Sequence, residues 1–209
     1  MPIEWHDYSK MFIGLLVILN PMLAVPVFIS LTQSMNHRER LSNARRTAVA
    51  VGVVLSVAAL LGQQILDLFG ISIDSFRVGG GLLILLMAVS MMHARMSAAQ
   101  HTDKEGEEAQ NRADIAVVPL AIPLLAGPGA ISTAIIYAHR DPTWMHAVLL
   151  GEIWLAALAV WLTLRSAVPI SRTLGTTGIN IATRLMGLVL AAIAVEFIVN
   201  GLKGLWLQP

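Results

Sequence analysis

No cysteine occurs in the 209 residues, which excludes disulfides, thiolate nucleophiles and zinc–sulfur sites. Charge is nearly as scarce. Asp, Glu, Lys and Arg together make up 13% of the chain, against about 25% in an ordinary soluble domain. Hydrophobic residues reach 56%, and a mean hydropathy of +0.71 implies that most of the chain lies in lipid. The expectation is one integral membrane domain over 1–209, with the lipid bilayer as its first partner. A net charge of +1, with the basic residues clustered in loops, gives no reason to expect nucleic acid. The first ten residues have neither a basic leader nor a small-residue cleavage site, so the first apolar run reads as a retained span rather than a signal peptide. The six histidines show no ligand spacing, and no P-loop, nucleophile elbow or paired His-Glu motif is present. No metal, no cofactor and no enzymatic activity are expected.

What is abundant is long apolar sequence. Six segments approach the roughly 17–25 residues a membrane span needs: about 12–31, 47–69, 76–93, 115–137, 144–164 and 181–205. Residues 32–46 read as a polar loop, 70–75 as a short turn and 95–114 as a solvated linker. A loop holding Arg165, Arg172 and Gly175 follows the fifth segment, which Pro169 closes. Arg38, Arg40, Arg45, Arg46, Arg95, Lys104, Arg112, Arg165 and Arg172 fall on one side of this arrangement. Lys10, Arg77, Arg140 and Lys203 fall on the other. The positive-inside rule then puts both termini outside.

Two of the apolar segments are interrupted. Residues 119–133 contain Gly127-Pro128-Gly129, and the first segment contains Asn20-Pro21. Proline removes a backbone donor and crowds the preceding turn, so each helix must kink or stop. Broken backbone at membrane depth is tolerated only where protein or a polar cavity satisfies it. Pro21 and Pro128 lie 107 residues apart, and the Arg77-x-x-Gly80 and Arg184-x-x-Gly187 pairs share that offset. The chain therefore reads as a duplication: a first repeat over about 1–94, the linker 95–114, and a second repeat over about 115–209. Three spans per repeat is odd, so the second half would insert upside down. Entering from opposite faces, the chain meets the two breaks after ~13 Å and ~18 Å of a ~30 Å core. Paired interruptions of this kind point to a transporter binding site.

Individual residues carry alternative readings. Gly127, Pro128 and Gly129 form either a solute cradle or a packing kink. Ser132 and Thr133 either hydrogen-bond a solute or bond back to the carbonyl four residues earlier. Asn20 either caps the helix starting at Pro21 or contacts solute. Arg77 and Arg184 either snorkel to the interface or act in gating, with Asp74 a potential partner for Arg77. Glu196 is an intramembrane carboxylate suited to proton coupling, with Asn200 on the same helical face. Glu152 is a weaker case. Gly79, Gly80, Gly81 and Gly187 read as close helix packing, and Met87, Met91 and Met92 as core or lipid-facing bulk.

The stretches Asn20-Pro21, Val25-Pro26-Val-Phe-Ile-Ser-Leu-Thr32 and Val118-Pro-Leu-Ala-Ile-Pro-Leu-Leu-Ala-Gly-Pro-Gly-Ala-Ile-Ser132 resemble the MarC family of bacterial inner-membrane proteins. So do Phe69-Gly-Ile-Ser-Ile-Asp-Ser-Phe-Arg77 with Gly79-Gly80, and Gly178-Ile-Asn with Arg184-Leu-Met-Gly187. The resemblance implies a six-span protein of the cytoplasmic membrane. It also implies a family in which some members look like transporters of small neutral amino acids. Met22-Leu23-Ala24 is bulkier than the small residues usual there.

The expected fold is thus an all-α membrane protein of six transmembrane helices, two inverted three-helix repeats with helices 1 and 4 broken. The expected function is secondary transport of a small polar solute, a neutral amino acid first, coupled to protons, sodium or the solute's own gradient. The alternative is a membrane sensor or accessory subunit that moves nothing. A homo-oligomer is compatible with either.

Overall fold

A computed structural model describes residues 5–33, 35–93, 116–139 and 145–206. The expected linker at 95–114 lies outside them, with Arg95, Lys104 and Arg112, and so does Arg140. The described residues form eight helices: α1 (Trp5–Leu19), α2 (Pro21–Leu31), α3 (His37–Leu68), α4 (Ile73–Met92), α5 (Ala116–Leu125), α6 (Pro128–His139), α7 (Met145–Arg165) and α8 (Ala167–Trp206).

Five stretches are long and apolar enough to cross a bilayer: Ser9–Leu31, His37–Leu68, Ile73–Met92, His146–Arg165 and Thr177–Trp206. Each answers to a span read from the sequence. The segment at 115–137 is not one helix. It divides into α5 and α6, of 10 and 12 residues, each too short to span ~30 Å alone. α5 is wound as a π-helix, and the amide of Ala126 continues its wide turn by donating to the carbonyl of Ala121 at 2.8 Å. Pro119 and Pro123 remove backbone donors from this run, so regular α-helix is already weakened there.

Two boundaries differ from expectation. The polar loop at 32–46 is largely helical, because α3 begins ten residues before the expected second span. Its start is a capping box: the Asn36 side chain accepts from the Glu39 amide at 3.0 Å, and the Glu39 carboxylate accepts from the Asn36 amide at 3.0 Å. At 32 residues, α3 is about 48 Å long. It therefore overruns the hydrocarbon by several turns and carries its arginine-rich end beyond it. The loop expected after the fifth span is also mostly helix. α7 ends at Arg165 and α8 begins at Ala167, so Pro169 sits in a first turn, where a missing N–H costs little. The interruption falls instead at Gly175 (φ 61°, ψ −178°), a backbone essentially restricted to glycine.

The tightest packing joins α4 and α8, which run antiparallel. A Cβ on Gly81 would stand 2.7 Å from Ile198 Cγ1 and 3.0 Å from the Ala194 carbonyl. One on Gly187 would stand 3.0 Å from Met91 Cβ and 3.1 Å from the Ala88 carbonyl. The absence of side chains is what lets the backbones approach. Gly79 meets nothing and faces outward, so the packing role read for the glycines holds for Gly80, Gly81 and Gly187 but not for Gly79. α6 lies at the centre, with α1, α3, α4 and α7 around it. Gly129, Ala130 and every residue from Ser132 to Ala138 are buried, as a helix apolar on all faces requires.

Candidate functional site at the two helix breaks

Both breaks are built alike. In the first, α1 stops at Leu19, Asn20 takes a left-handed backbone (φ 39°, ψ 66°), and α2 restarts with Pro21 in its first turn. Asn20 is the one non-glycine residue with positive φ among the described residues. Its amide still donates to Leu16 O at 3.1 Å, and its carbonyl accepts from the Leu23 amide at 3.0 Å. In the second, Ala126 and Gly127 separate α5 from α6, which restarts with Pro128; the Ile131 amide donates to Gly127 O at 3.0 Å. Proline in each first turn needs no partner for its nitrogen.

The expected side-chain cap at Asn20 does not form. A left-handed cap residue turns its side chain away from the first-turn amides. The carboxamide instead reaches α4, where Nδ2 lies 3.7 Å from Met91 Sδ. Asn20 is 4% exposed, so this amide sits in the protein interior.

The second break reaches the same helix face. A Cβ on Gly129 would stand 3.1 Å from both Ile84 Cγ1 and Met87 Sδ, and 3.8 Å from Ile18 Cγ2 at the end of α1. Ser132, one turn on, packs against Gly80, whose Cβ would stand 2.8 Å from Ser132 Cβ and 3.2 Å from Oγ. Gly80, Ile84, Met87 and Met91 thus form one buried stripe along α4, at three- and four-residue spacing. Ser132, Gly129 and Asn20 lie along it in order. Tyr137 completes the contact between α1 and α6, its hydroxyl lying over Gly14, and meets Phe197 edge-on at 6.2 Å.

Thr133 takes the backbone alternative: its hydroxyl donates to Gly129 O at 2.8 Å. Arg77 pairs with Asp74 at 2.9 Å, with side chains 17% and 9% exposed. This pair rests on α8, where the Asp74 carboxylate packs over Gly204 and the Asp74 carbonyl approaches Gly201. Arg184 has no equivalent arrangement among the described residues. It is exposed, and the residue 107 positions after Asp74 is Ile181, which cannot pair with it. Glu196 is also exposed, with Asn200 half-buried beside it; neither is gathered with the breaks. Glu152, the weaker case from sequence, is buried on α7, 8% exposed. Met87 and Met91, 2% and 1% exposed, are the residues whose place at the site was missed. Their four-residue spacing puts them on one face, but only the fold shows what that face meets. No group of three or more metal-ligating side chains is found among the described residues.

The arrangement offers a buried carboxamide, serine hydroxyl and thioethers beside the starts of two helices. Helix starts carry positive partial charge and suit a carboxylate. Thioethers suit a small apolar group.

The family model described as "MarC family integral membrane protein" matches residues 5–206. The chain is 43% identical over 208 residues to the UPF0056 membrane protein YhcE of Escherichia coli, covering 97% of this chain and 95% of that one. It is 44% identical over 200 residues to the UPF0056 membrane protein MJ1677 of Methanocaldococcus jannaschii, covering 92% and 94%. A UPF0056 membrane protein of Aquifex aeolicus is 35% identical over 211 residues, covering 98% and 99%. No solved structure matches the chain.

Proposed function

The chain belongs to the MarC family of integral membrane proteins, and on that premise we propose that it is a secondary transporter of a small neutral amino acid. The observation that carries this reading is the meeting of both breaks on one stripe of α4, Asn20 at Met91 and Gly129 at Met87. A helix break gives up intrahelical hydrogen bonds, a cost in an apolar interior. Two at one place supply a local polar site in an apolar interior.

The solute's carboxylate lies at the starts of α2 and α6 with the Asn20 carboxamide and Ser132 hydroxyl, and its small side chain lies against Met87 and Met91. The antiparallel contact of α1 with α6, Gly14 by Tyr137 and Ile18 by Gly129, supports entry of the two broken segments from opposite faces. That is the relation two inverted halves require; six crossings leave both termini on one side, and the positive-inside reading of the basic loops makes that side the outside of a bacterial inner membrane. Alternating access is the rocking of one half on the other. The Asp74–Arg77 pair, seated on the Gly201 and Gly204 ledge of α8, is the clamp on one side. The sequence has no nucleotide-binding motif, so the driving force is an ion gradient or the solute's own.

The test is thermal melting of the purified protein with glycine, alanine and a panel of larger and charged solutes. Stabilisation by glycine or alanine that disappears in Pro128→Ala supports the reading. A folded protein that responds to no amino acid, and co-purifies with a partner in fixed ratio, would instead be an accessory subunit.

A further inference from the structure

A second group of buried polar atoms lies at the other end of α2. Thr32, just past the last residue of α2, is fully buried and donates its hydroxyl to Phe28 O at 2.6 Å. Its carbonyl accepts from Arg40 Nη2 of α3 at 3.0 Å. Along α3, Arg40, Asn43 and Thr47 follow at three- and four-residue spacing and so share one face. Asn43 Nδ2 donates to Glu39 O and to Met35 Sδ, both at 3.2 Å.

What remains is unmatched. Arg40 Nε, Asn43 Oδ1 and Thr47 Oγ1 are buried and have no hydrogen-bond partner among the described residues. Asn43 is 8% exposed and Thr47 0%, so water does not reach them from the surface in this conformation. Natural proteins contain few such atoms, and a concentration of them on one helix face calls for a ligand or ordered water. The set is mixed: a guanidinium N–H that can only donate, a hydroxyl that does either, and a carboxamide oxygen that can only accept. A simple anion would leave Asn43 Oδ1 unmatched, and a simple cation would be repelled by Arg40. A small zwitterion satisfies all three, its carboxylate accepting from Arg40 Nε and Thr47 Oγ1 and its ammonium donating to Asn43 Oδ1.

We infer that Arg40, Asn43 and Thr47, with Arg40 tied to the Thr32 carbonyl just past α2, form a second subsite for a small zwitterion. It lies one length of α2, 11 residues or about 16 Å, from the Asn20 break. It is therefore a waystation for the solute between the breaks and one membrane face. The substrate class rests on the proposed function; the position of the subsite rests on its own unmatched atoms.

Equilibrium binding of radiolabelled alanine to the full-length protein in detergent tests this, with stoichiometry as the readout. Wild type is expected to bind two equivalents. Thr47→Val, which keeps the shape and removes the hydroxyl, is expected to lose one equivalent or weaken it about tenfold, and Thr47→Ser to restore it. The ligand-free Thr47→Val protein should melt no lower than wild type, because it sheds an unmatched polar atom. Pro128→Ala should remove the other equivalent. Loss in Pro128→Ala with no change in Thr47→Val overturns the subsite and leaves the transporter reading standing. Loss in Thr47→Val with no change in Pro128→Ala does the reverse. No binding by folded wild type overturns both.

Discussion

Adjacent glycines on α4 give the sharpest test of the packing that builds the site. Gly79 faces outward, and a Cβ there would meet nothing within 4 Å. Gly80 faces α6, and a Cβ there would stand 2.8 Å from Ser132 Cβ, well inside the contact distance of carbon atoms. Replacing either with alanine brings the same gain in helix propensity, about 0.8–1.0 kcal/mol. Only Gly80→Ala adds overpacking, which costs about 1–3 kcal/mol in a packed interior. Gly79→Ala should therefore be more stable than Gly80→Ala by about 1–3 kcal/mol, the propensity term cancelling between them. For a chain of this size that corresponds to roughly 2–12 °C in melting temperature. Thermal melting of the two variants beside wild type, in one detergent, reads the difference. Gly80→Ala should also slow solute uptake by pushing Ser132 off the stripe, while Gly79→Ala leaves uptake unchanged. If Gly80→Ala melts as high as Gly79→Ala, the close approach of α4 and α6 at Ser132 is wrong, and so is the stripe built on it.

Other variants probe single links. Asn20→Gly should keep stability within about 1 kcal/mol, because glycine adopts the left-handed backbone freely, whereas Asn20→Val should cost about 1–3 kcal/mol; melting curves separate them, and both should lose solute binding with the carboxamide. Asp74→Asn leaves the half-buried Arg77 without its counter-ion and should destabilise by about 1–3 kcal/mol, less than for a fully buried pair because both side chains keep some solvent. Asn36→Ala removes the capping box of α3 and should cost about 0.5–2 kcal/mol, with amide exchange rising first at 37–40 and the breaks unaffected.

The membrane class, most of the spans and both breaks were legible in the chain because each depends on local chemistry. Apolar length marks a span whatever packs against it, and proline with glycine interrupts a helix in any setting. The start of α3 was equally legible, in Asn36-His-Arg-Glu39, but the arginines that follow drew attention as a loop signal. Arginine is a good helix former, and the capping box outweighs the polarity. The orientation of side chains was not legible. Glu152 and Glu196 are both single carboxylates in apolar runs, and only tertiary packing turns one inward and the other out. Asn20 shows a finer limit: whether it caps its helix depends on one backbone dihedral pair that the sequence does not specify. Met87 and Met91 read as generic bulk because their meaning lies in what stands opposite, and that comes from segments more than thirty residues away.

In the proposed mechanism solute crosses the membrane by way of the two breaks. Uptake of radiolabelled glycine and alanine into proteoliposomes of the purified protein tests it most directly, with Asn20→Gly alongside as the variant that keeps the backbone and loses the carboxamide. Wild type is expected to show saturable uptake, and Asn20→Gly uptake at least about tenfold slower, with a melting temperature within about 4 °C of wild type. Folded wild-type protein that moves neither amino acid, or Asn20→Gly that moves them as fast as wild type, would contradict it.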